Sequence, residues 1–384
     1  MANVFTIPSC IVAGQGALEL ASDRVKSLGK KALIVTDVMM VKLGNVKKLT
    51  DVLDGIGVGY EIYDGINGEP NHQMIEAGVT RYIGSGCDFL VAIGGGSPID
   101  SMKAIAAVAA NGGSIREYVG KSLDRPLPPI CAIPTTAGTG SEATSVTIIA
   151  NMDTNVKMMI KSPALMASLA IVDPQFTRTA PPAVTAATGV DALCHCVEAY
   201  TSRLAYSMSD TYAMSALKRI YKNLYTAYSD GNNIEAREQM AIGALEAGIS
   251  FSNSSVTIVH GMSRPIGALF HVAHGLSNAM LLDACLHYAV SGAYDRFCDL
   301  SRVIGVYQDG MSEQEGAMAF VTAIHNLLVK LNIPTPEAYG LDREKFFASL
   351  DKMATDALAS GSPANTRRQP TKEDLIELYK SLWA

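Results

Sequence analysis

The 384-residue sequence lacks the features that mark several large classes of protein. No apolar run reaches the ~18 residues that a membrane-spanning helix needs, and the N-terminus has no basic segment followed by an apolar one, as a secretion signal has. The 31 basic residues are outnumbered by 37 acidic ones and form no block, so nothing indicates binding to nucleic acid or to an anionic membrane surface. We therefore expect a cytoplasmic protein whose partner is a small molecule.

The sequence also has no CxxC pair, although it contains seven cysteines. An odd number of cysteines without such a pair argues against a disulfide framework and against a zinc site made of thiolates. We expect reduced thiols, most of them buried.

Hydrophobic patterning divides the chain near residue 180. Before that point, short β-branched runs such as ALIVT (32–36) and FLVAI (89–93) alternate with helical stretches, which is typical of a parallel sheet with flanking helices. After the Pro181-Pro182 pair, apolar residues recur at helical spacing. We predict an α/β domain over 1–180 and an all-α domain over 181–384.

Two glycine-rich loops follow predicted strands in the first half. GGGSPID (94–100) leads from FLVAI into a helix, and PTTAGTGSE (134–142) follows the strand ICAIP (130–134). Glycine lets backbone amides approach a phosphate closely, and the N-terminus of a helix favours negative charge. The loops therefore predict a nucleotide-phosphate site; the alternative for GGGSPID is a tight strand-to-helix turn.

Asp37 stands at the end of another predicted strand, ALIVTD (32–37). An acid there can accept hydrogen bonds from an adenosine ribose and repel a 2′-phosphate, which would favour NAD over NADP. The alternative is an ordinary helix N-cap.

The second half contains a possible metal site. GVDALCHCVEAY (189–200) places Asp191 and His195 four residues apart on one helix face, and a later stretch supplies His260 and His274. A buried Asp–His hydrogen bond would explain the first pair alone. Together, three imidazoles and one carboxylate predict a site for a divalent ion such as Fe²⁺ or Zn²⁺, which can act as a Lewis acid on a carbonyl beside a nicotinamide.

These motifs occur in the order and spacing seen in the iron-containing (group III) alcohol dehydrogenase family, which the chain resembles over essentially its whole length. The resemblance implies an NAD(H)-dependent, metal-dependent enzyme of dehydroquinate synthase-like architecture, usually a homo-oligomer of two or more subunits. It also implies that the α/β domain over 1–180 binds the dinucleotide and that the helical domain over 181–384 holds the metal and the substrate. The implied metal ligands are Asp191, His195, His260 and His274. The implied cofactor-binding residues are Asp37, Gly95, Gly96, Ser97, Asp100, Thr135, Thr136, Thr139 and Lys157. For Lys157, a solvated strand lysine is the alternative.

One departure from the family concerns Arg264, which stands four residues after His260, where many relatives have a histidine discussed as part of a proton relay. An arginine stays protonated at physiological pH and cannot shuttle that proton, so we look to His271, water or a cofactor ribose hydroxyl. Its planar fork instead suits an anionic substrate group. The alternative is that Arg264 pairs with an acid or points away.

The sequence thus predicts an aldehyde reductase that transfers hydride between a nicotinamide and the carbonyl of a short anionic aldehyde such as sulfoacetaldehyde. Succinic semialdehyde is a second candidate substrate. Alternatives are a broad-range alcohol dehydrogenase, or one of the lactaldehyde, 1,3-propanediol or 4-hydroxybutyrate type. A dehydroquinate synthase-like lyase and a nucleotide-binding protein with a structural metal are further alternatives.

Overall fold

The computed structural model describes residues 2–154 and 156–383. The chain forms two compact units. The first comprises Met1–Thr136 and Gly140–Ala180, and the second comprises Ala137–Thr139 and Pro181–Ala384. No helix in the described ranges is long and apolar enough to cross a membrane.

The first unit contains a parallel sheet of six strands, as the alternating pattern predicted. In chain order its strands are β1 (Cys10–Ala13), β2 (Lys31–Val35), β3 (Gly59–Tyr63), β4 (Phe89–Gly94), β5 (Ile130–Pro134) and β8 (Leu169–Val172). Their spatial order is β1-β8-β5-β4-β2-β3. A separate antiparallel hairpin joins β6 (Val146–Asn151) to β7 (Val156–Lys161).

Helices cover both faces of this sheet. They are α1 (Ala17–Leu20), α2 (Ser22–Leu28), α3 (Val38–Lys42), α4 (Asn45–Ile56), α5 (His72–Gly84) and α6 (Gly96–Asn111). Because apolar side chains on both faces are shielded, every residue of β4 is buried, and one core lies on each side of the sheet. The carboxyl ends of the neighbouring strands β4 and β5 bring the two glycine-rich loops together.

The second unit is helical in the described residues, which confirms the predicted change of pattern after Pro182. Its helices are α7 (Pro182–Thr201), α8 (Ser207–Ser229), α9 (Ile234–Ser254), α10 (Ile258–Phe270), α11 (His274–Ala289), α12 (Tyr294–Val303), α13 (Glu313–Lys330), α14 (Pro336–Tyr339), α15 (Arg343–Ala348), α16 (Leu350–Ala359) and α17 (Lys372–Ser381). Helix α7 packs against α8, α9 and α11 and is buried along most of its length. Such a helix can carry polar groups only where they have partners.

All seven cysteines are free thiols, and six of them are buried. This confirms the expectation of reduced, mostly buried cysteines.

Candidate metal centre and cofactor loops

Three helices of the second unit bring the four predicted metal ligands together. Asp191 and His195 lie one turn apart on α7, His260 lies on α10, and His274 is the first residue of α11. The Nε2 atoms of His260, His274 and His195 lie 3.5, 3.8 and 4.0 Å from Oδ1 of Asp191. Ligand atoms that each bind one tetrahedral ion at about 2.0–2.2 Å are roughly 3.4 Å apart, so this spacing fits a single divalent ion.

The pKa shifts of Asp191 and His195 fit a cation. Burial opposes ionisation of Asp191, but the three imidazoles outweigh it and lower the pKa of that carboxyl well below its usual range. Burial is the main cause that lowers the pKa of His195 to about 3, so its ring is neutral. An ionised carboxylate and a neutral imidazole are the forms that bind metal ions. At His260, burial is outweighed by Glu198 and Asp191, which raise the pKa to about 9, so an ion would displace a proton from this ring. The residues therefore fit a divalent ion held by Asp191, His195, His260 and His274.

Glu198, which the sequence analysis did not single out, orients one of these ligands. It is 2% exposed. One of its oxygens accepts hydrogen bonds from Thr257 Oγ1 and from the Val259 amide, both at 2.7 Å, and the other accepts from Nδ1 of His260. An ionised carboxylate only accepts, so Nδ1 of His260 carries a proton and donates to Glu198, which leaves Nε2 as the ring nitrogen that faces Asp191 and that an ion would bind. The helical spacing of Asp191, His195 and Glu198 along α7 is the sequence feature that could have indicated this role of Glu198.

Asn278 is a second residue that the sequence analysis missed. Its buried side-chain amide donates to Oδ1 of Asp191 at 2.7 Å and lies 3.1 Å from Nε2 of His260 and 3.3 Å from Nε2 of His274. The amide therefore touches three of the four ligand side chains. Nothing in the sequence distinguishes this asparagine, since the contact depends on how α11 packs against α7 and α10.

Gly275 lets α11 approach α7 closely enough to place His274 beside Asp191. A Cβ atom at Gly275 would lie 2.7 Å from the carbonyl oxygen of Ala187 and 3.3 Å from Cβ of Asp191. Any larger residue would push the start of α11 away from α7, and the ligand His274 with it.

Arg264 lies one helical turn after His260 on α10 and is half-buried. Among the residues that the structure describes, no side chain or carbonyl forms a hydrogen bond or an ion pair with it. Burial lowers the pKa of this guanidinium, an effect that Glu198 opposes. His271 is not part of the ligand cluster: it is exposed and caps the C-terminus of α10 in the left-handed conformation, with φ 56°.

In the first unit, the GGGSPID loop opens helix α6 at the carboxyl end of β4, with Gly95 as the N-cap. The amide of Thr135 in the second loop donates to the Gly94 carbonyl at 2.9 Å. A groove of about 550 Å³ beside the first loop is lined by Gly95, Gly96 and Ser97 and also by Asp37. The first glycine-rich loop and Asp37 therefore line the same groove.

Asp37 is the N-cap of α3, as one of its two interpretations predicted. Its carboxylate accepts a hydrogen bond from the Met40 amide at 2.9 Å. The same side chain lines the groove, and its contact with a cofactor ribose stays a prediction.

Two other predicted cofactor residues have protein partners. Asp100 accepts hydrogen bonds from the Ser141 hydroxyl and, at 2.9 Å, from the Ile148 amide. Lys157 forms an ion pair of 2.5 Å with Glu69. Contact of these two residues with a cofactor, like that of Thr136 and Thr139, stays a prediction.

Two family models match the chain, one over most of the α/β part and one over most of the helical part. Residues 8–174 match the family described as iron-containing alcohol dehydrogenase, and residues 185–383 match the C-terminal domain of that family. The chain belongs to the iron-containing alcohol dehydrogenase family. This confirms the predicted family, fold class and oxidoreductase activity.

Individual members of the iron-containing alcohol dehydrogenases match over their full length. Lactaldehyde reductase from Escherichia coli (strain K12) is 36% identical, with 100% of both chains covered. The crystal structure of a 1,3-propanediol oxidoreductase has a TM-score of 0.96 at 34% identity, again with 100% of both chains covered. Sulfoacetaldehyde reductase from Bifidobacterium kashiwanohense, solved in complex with NAD⁺, has a TM-score of 0.88 at 28% identity, covering 100% of this chain and 99% of that one.

Proposed function

We propose that this iron-containing alcohol dehydrogenase uses NAD(H) and one divalent ion to reduce a short anionic aldehyde, with sulfoacetaldehyde as the leading candidate. The observation that carries the proposal is Arg264, one turn from the ligand His260: its guanidinium is half-buried, and no residue in the described part of the chain forms an ion pair with it. Burial of an unpaired charge is unfavourable, and an anionic substrate group would relieve that cost. A sulfonate or carboxylate can also accept two parallel hydrogen bonds from the guanidinium.

Other residues would bind the ion and the cofactor. Asp191 and the three histidines would hold the ion, which supplies a Lewis acid for the carbonyl, while a bound nicotinamide supplies the hydride. Gly95, Gly96 and Ser97 would bind the pyrophosphate through backbone amides at the start of α6.

Asp37 would accept hydrogen bonds from the adenosine ribose and thereby select NAD over NADP. His271 is our candidate for the proton donor to the reduced oxygen, directly or through water. The NAD⁺ complex of the Bifidobacterium kashiwanohense enzyme supports this choice of cofactor.

A second candidate is reduction of a neutral short aldehyde. The similarity to Escherichia coli lactaldehyde reductase over the whole chain favours it, because that protein is the more similar of the two named reductases in sequence. In this case Arg264 would have only a structural role.

Steady-state NADH oxidation by the metal-loaded enzyme separates the two candidates. We would compare kcat/KM for sulfoacetaldehyde, succinic semialdehyde, lactaldehyde and propanal. A preference of more than about tenfold for one anion, roughly 1.4 kcal/mol of transition-state discrimination, is expected if Arg264 binds the substrate charge. Equal rates on the neutral aldehydes would contradict the anion preference.

Substitution of Arg264 tests the residue itself. Arg264→Met is expected to raise KM for the anionic aldehyde at least tenfold and to leave KM for propanal within twofold. The matched control is Arg302→Met, which removes an exposed arginine paired with Asp299 at 3.1 Å. Equal losses on charged and neutral aldehydes would show that Arg264 does not contact the substrate anion.

A further inference from the structure

We propose that Lys103 is a positioning residue that fixes the segment after the second glycine-rich loop to the helix that carries the first. This inference rests on the proposed nucleotide site but concerns a side chain that no nucleotide needs to touch. Lys103 lies on α6 and is 0% exposed, although lysine is rarely buried without a specific reason.

The ammonium group of Lys103 is fully used within the first unit. Its Nζ donates to the carbonyl oxygens of Ser141, Thr144 and Val146 at 2.6, 2.7 and 3.0 Å, and it lies 2.9 Å from Thr144 Oγ1. Three protons thus serve four acceptors. Without the lysine, the buried carbonyl oxygens of this segment would lose a charged donor.

Asp100, one turn before Lys103 on the same helix, holds the same segment from its other side. Its carboxylate accepts from the Ser141 hydroxyl and the Ile148 amide, and its backbone carbonyl accepts from Thr147 Oγ1 at 2.7 Å. The two side chains therefore fix residues 141–148 to α6. Burial lowers the pKa of Lys103 to about 8, and the neighbouring carboxyl groups of Asp100 and Glu142 oppose that shift.

The connection matters because of where each loop ends. Helix α6 begins at Gly96, the third glycine of the first loop, and the fixed segment begins at Ser141, directly after the last glycine of the second loop. Each loop therefore has one end attached to the same rigid helix. A site whose supporting side chains are locked in this way binds its ligand with less loss of conformational freedom.

The test is the dissociation constant for NADH, measured by nucleotide fluorescence, together with amide hydrogen exchange over residues 135–148. Lys103→Met is expected to raise the constant at least tenfold and to accelerate exchange in that segment. Thr144→Val, which removes one acceptor of Lys103 and the hydroxyl that donates to the Ser141 carbonyl at 3.2 Å, is expected to raise the constant about threefold. Lys103→Arg, which retains a charged donor, is expected to recover part of the binding.

Ile105→Val provides the matched control, since it weakens the packing of the same helix without touching residues 141–148. It is expected to lower the unfolding temperature and to leave NADH binding unchanged. Wild-type NADH affinity in folded Lys103→Met would overturn the proposal, and so would wild-type affinity in Thr144→Val if Lys103→Met does not fold. Failure of the wild-type protein to bind NADH would instead overturn the proposed function.

Discussion

Glu198 offers a direct test of how the metal centre is organised. Replacement by glutamine keeps the size of the side chain but replaces one accepting oxygen by an amide that donates. If the amide faces His260, it favours the tautomer with the proton on Nε2, and that nitrogen can then no longer bind an ion. If it faces the other way, it meets the donors of Thr257 and Val259 instead.

The expected loss can be estimated from these contacts. Removal of a carboxylate that orients a ligating histidine typically weakens metal binding by about 10–100-fold, or roughly 1.4–2.7 kcal/mol. Glu198→Ala should also lower the free energy of unfolding by at least about 3 kcal/mol, since it leaves three buried donors without their acceptor at about 1–3 kcal/mol each. Competition with a chromophoric zinc chelator measures the first quantity, and urea unfolding in excess chelator measures the second.

Glu246→Gln is the matched control, because Glu246 is a partly buried glutamate that pairs with Arg219 at 3.2 Å on the neighbouring helices α8 and α9. It is expected to leave the zinc affinity unchanged. Zinc affinity in Glu198→Gln equal to that of the wild-type protein would refute the role of Glu198 in orienting His260.

Two further substitutions test other parts of the molecule. Gly275→Ala should weaken zinc binding and lower the free energy of unfolding by about 1–3 kcal/mol, because its Cβ has no room against α7; the same chelator competition and urea unfolding measure both. Burial raises the pKa of Glu142 from 4.5 to about 7, so the folded protein holds this proton more tightly than the unfolded chain does. Stability from this group is therefore lost as pH rises from about 4.5 to about 7. Glu142→Gln should remove that loss, so its free energy of unfolding relative to wild type should increase between pH 5 and pH 8 in urea unfolding. If the difference in free energy between the two proteins does not change with pH, the raised pKa of Glu142 is contradicted.

The sequence predicted the residues whose chemistry is visible in a short stretch. Asp191 and His195 share a helix face by spacing alone. The first glycine-rich loop stands between a recognisable strand and helix, and the second follows a recognisable strand. The same helical spacing places Glu198 next on that face. A glutamate on a helix is common, however, and the spacing does not reveal its hydrogen-bond partner. That partner, His260, is 62 residues further along the chain.

Asn278 and Lys103 could not be predicted in this way. Each acts through contacts set by packing: Asn278 on an aspartate 87 residues away, and Lys103 on carbonyl groups about 40 residues away. Carbonyl groups are present at every position, so no residue pattern marks the ones that a buried lysine will meet. Such partners become visible only once the helices and loops are placed.

The division of the chain into two units has a consequence for protein engineering. Ala137–Thr139 belongs with the helical unit, although the residues on both sides of it belong with the α/β unit. Within the helical unit, Gly138 packs so closely on Thr188 that an added Cβ would lie 2.6 Å from its side chain. The backbone therefore passes from one unit to the other three times, and a cut at residue 180 alone would leave a helical fragment without a piece of its own surface. Chimaeras that exchange the α/β unit between relatives need three matched junctions. Two of them flank Ala137–Thr139, and the third follows residue 180.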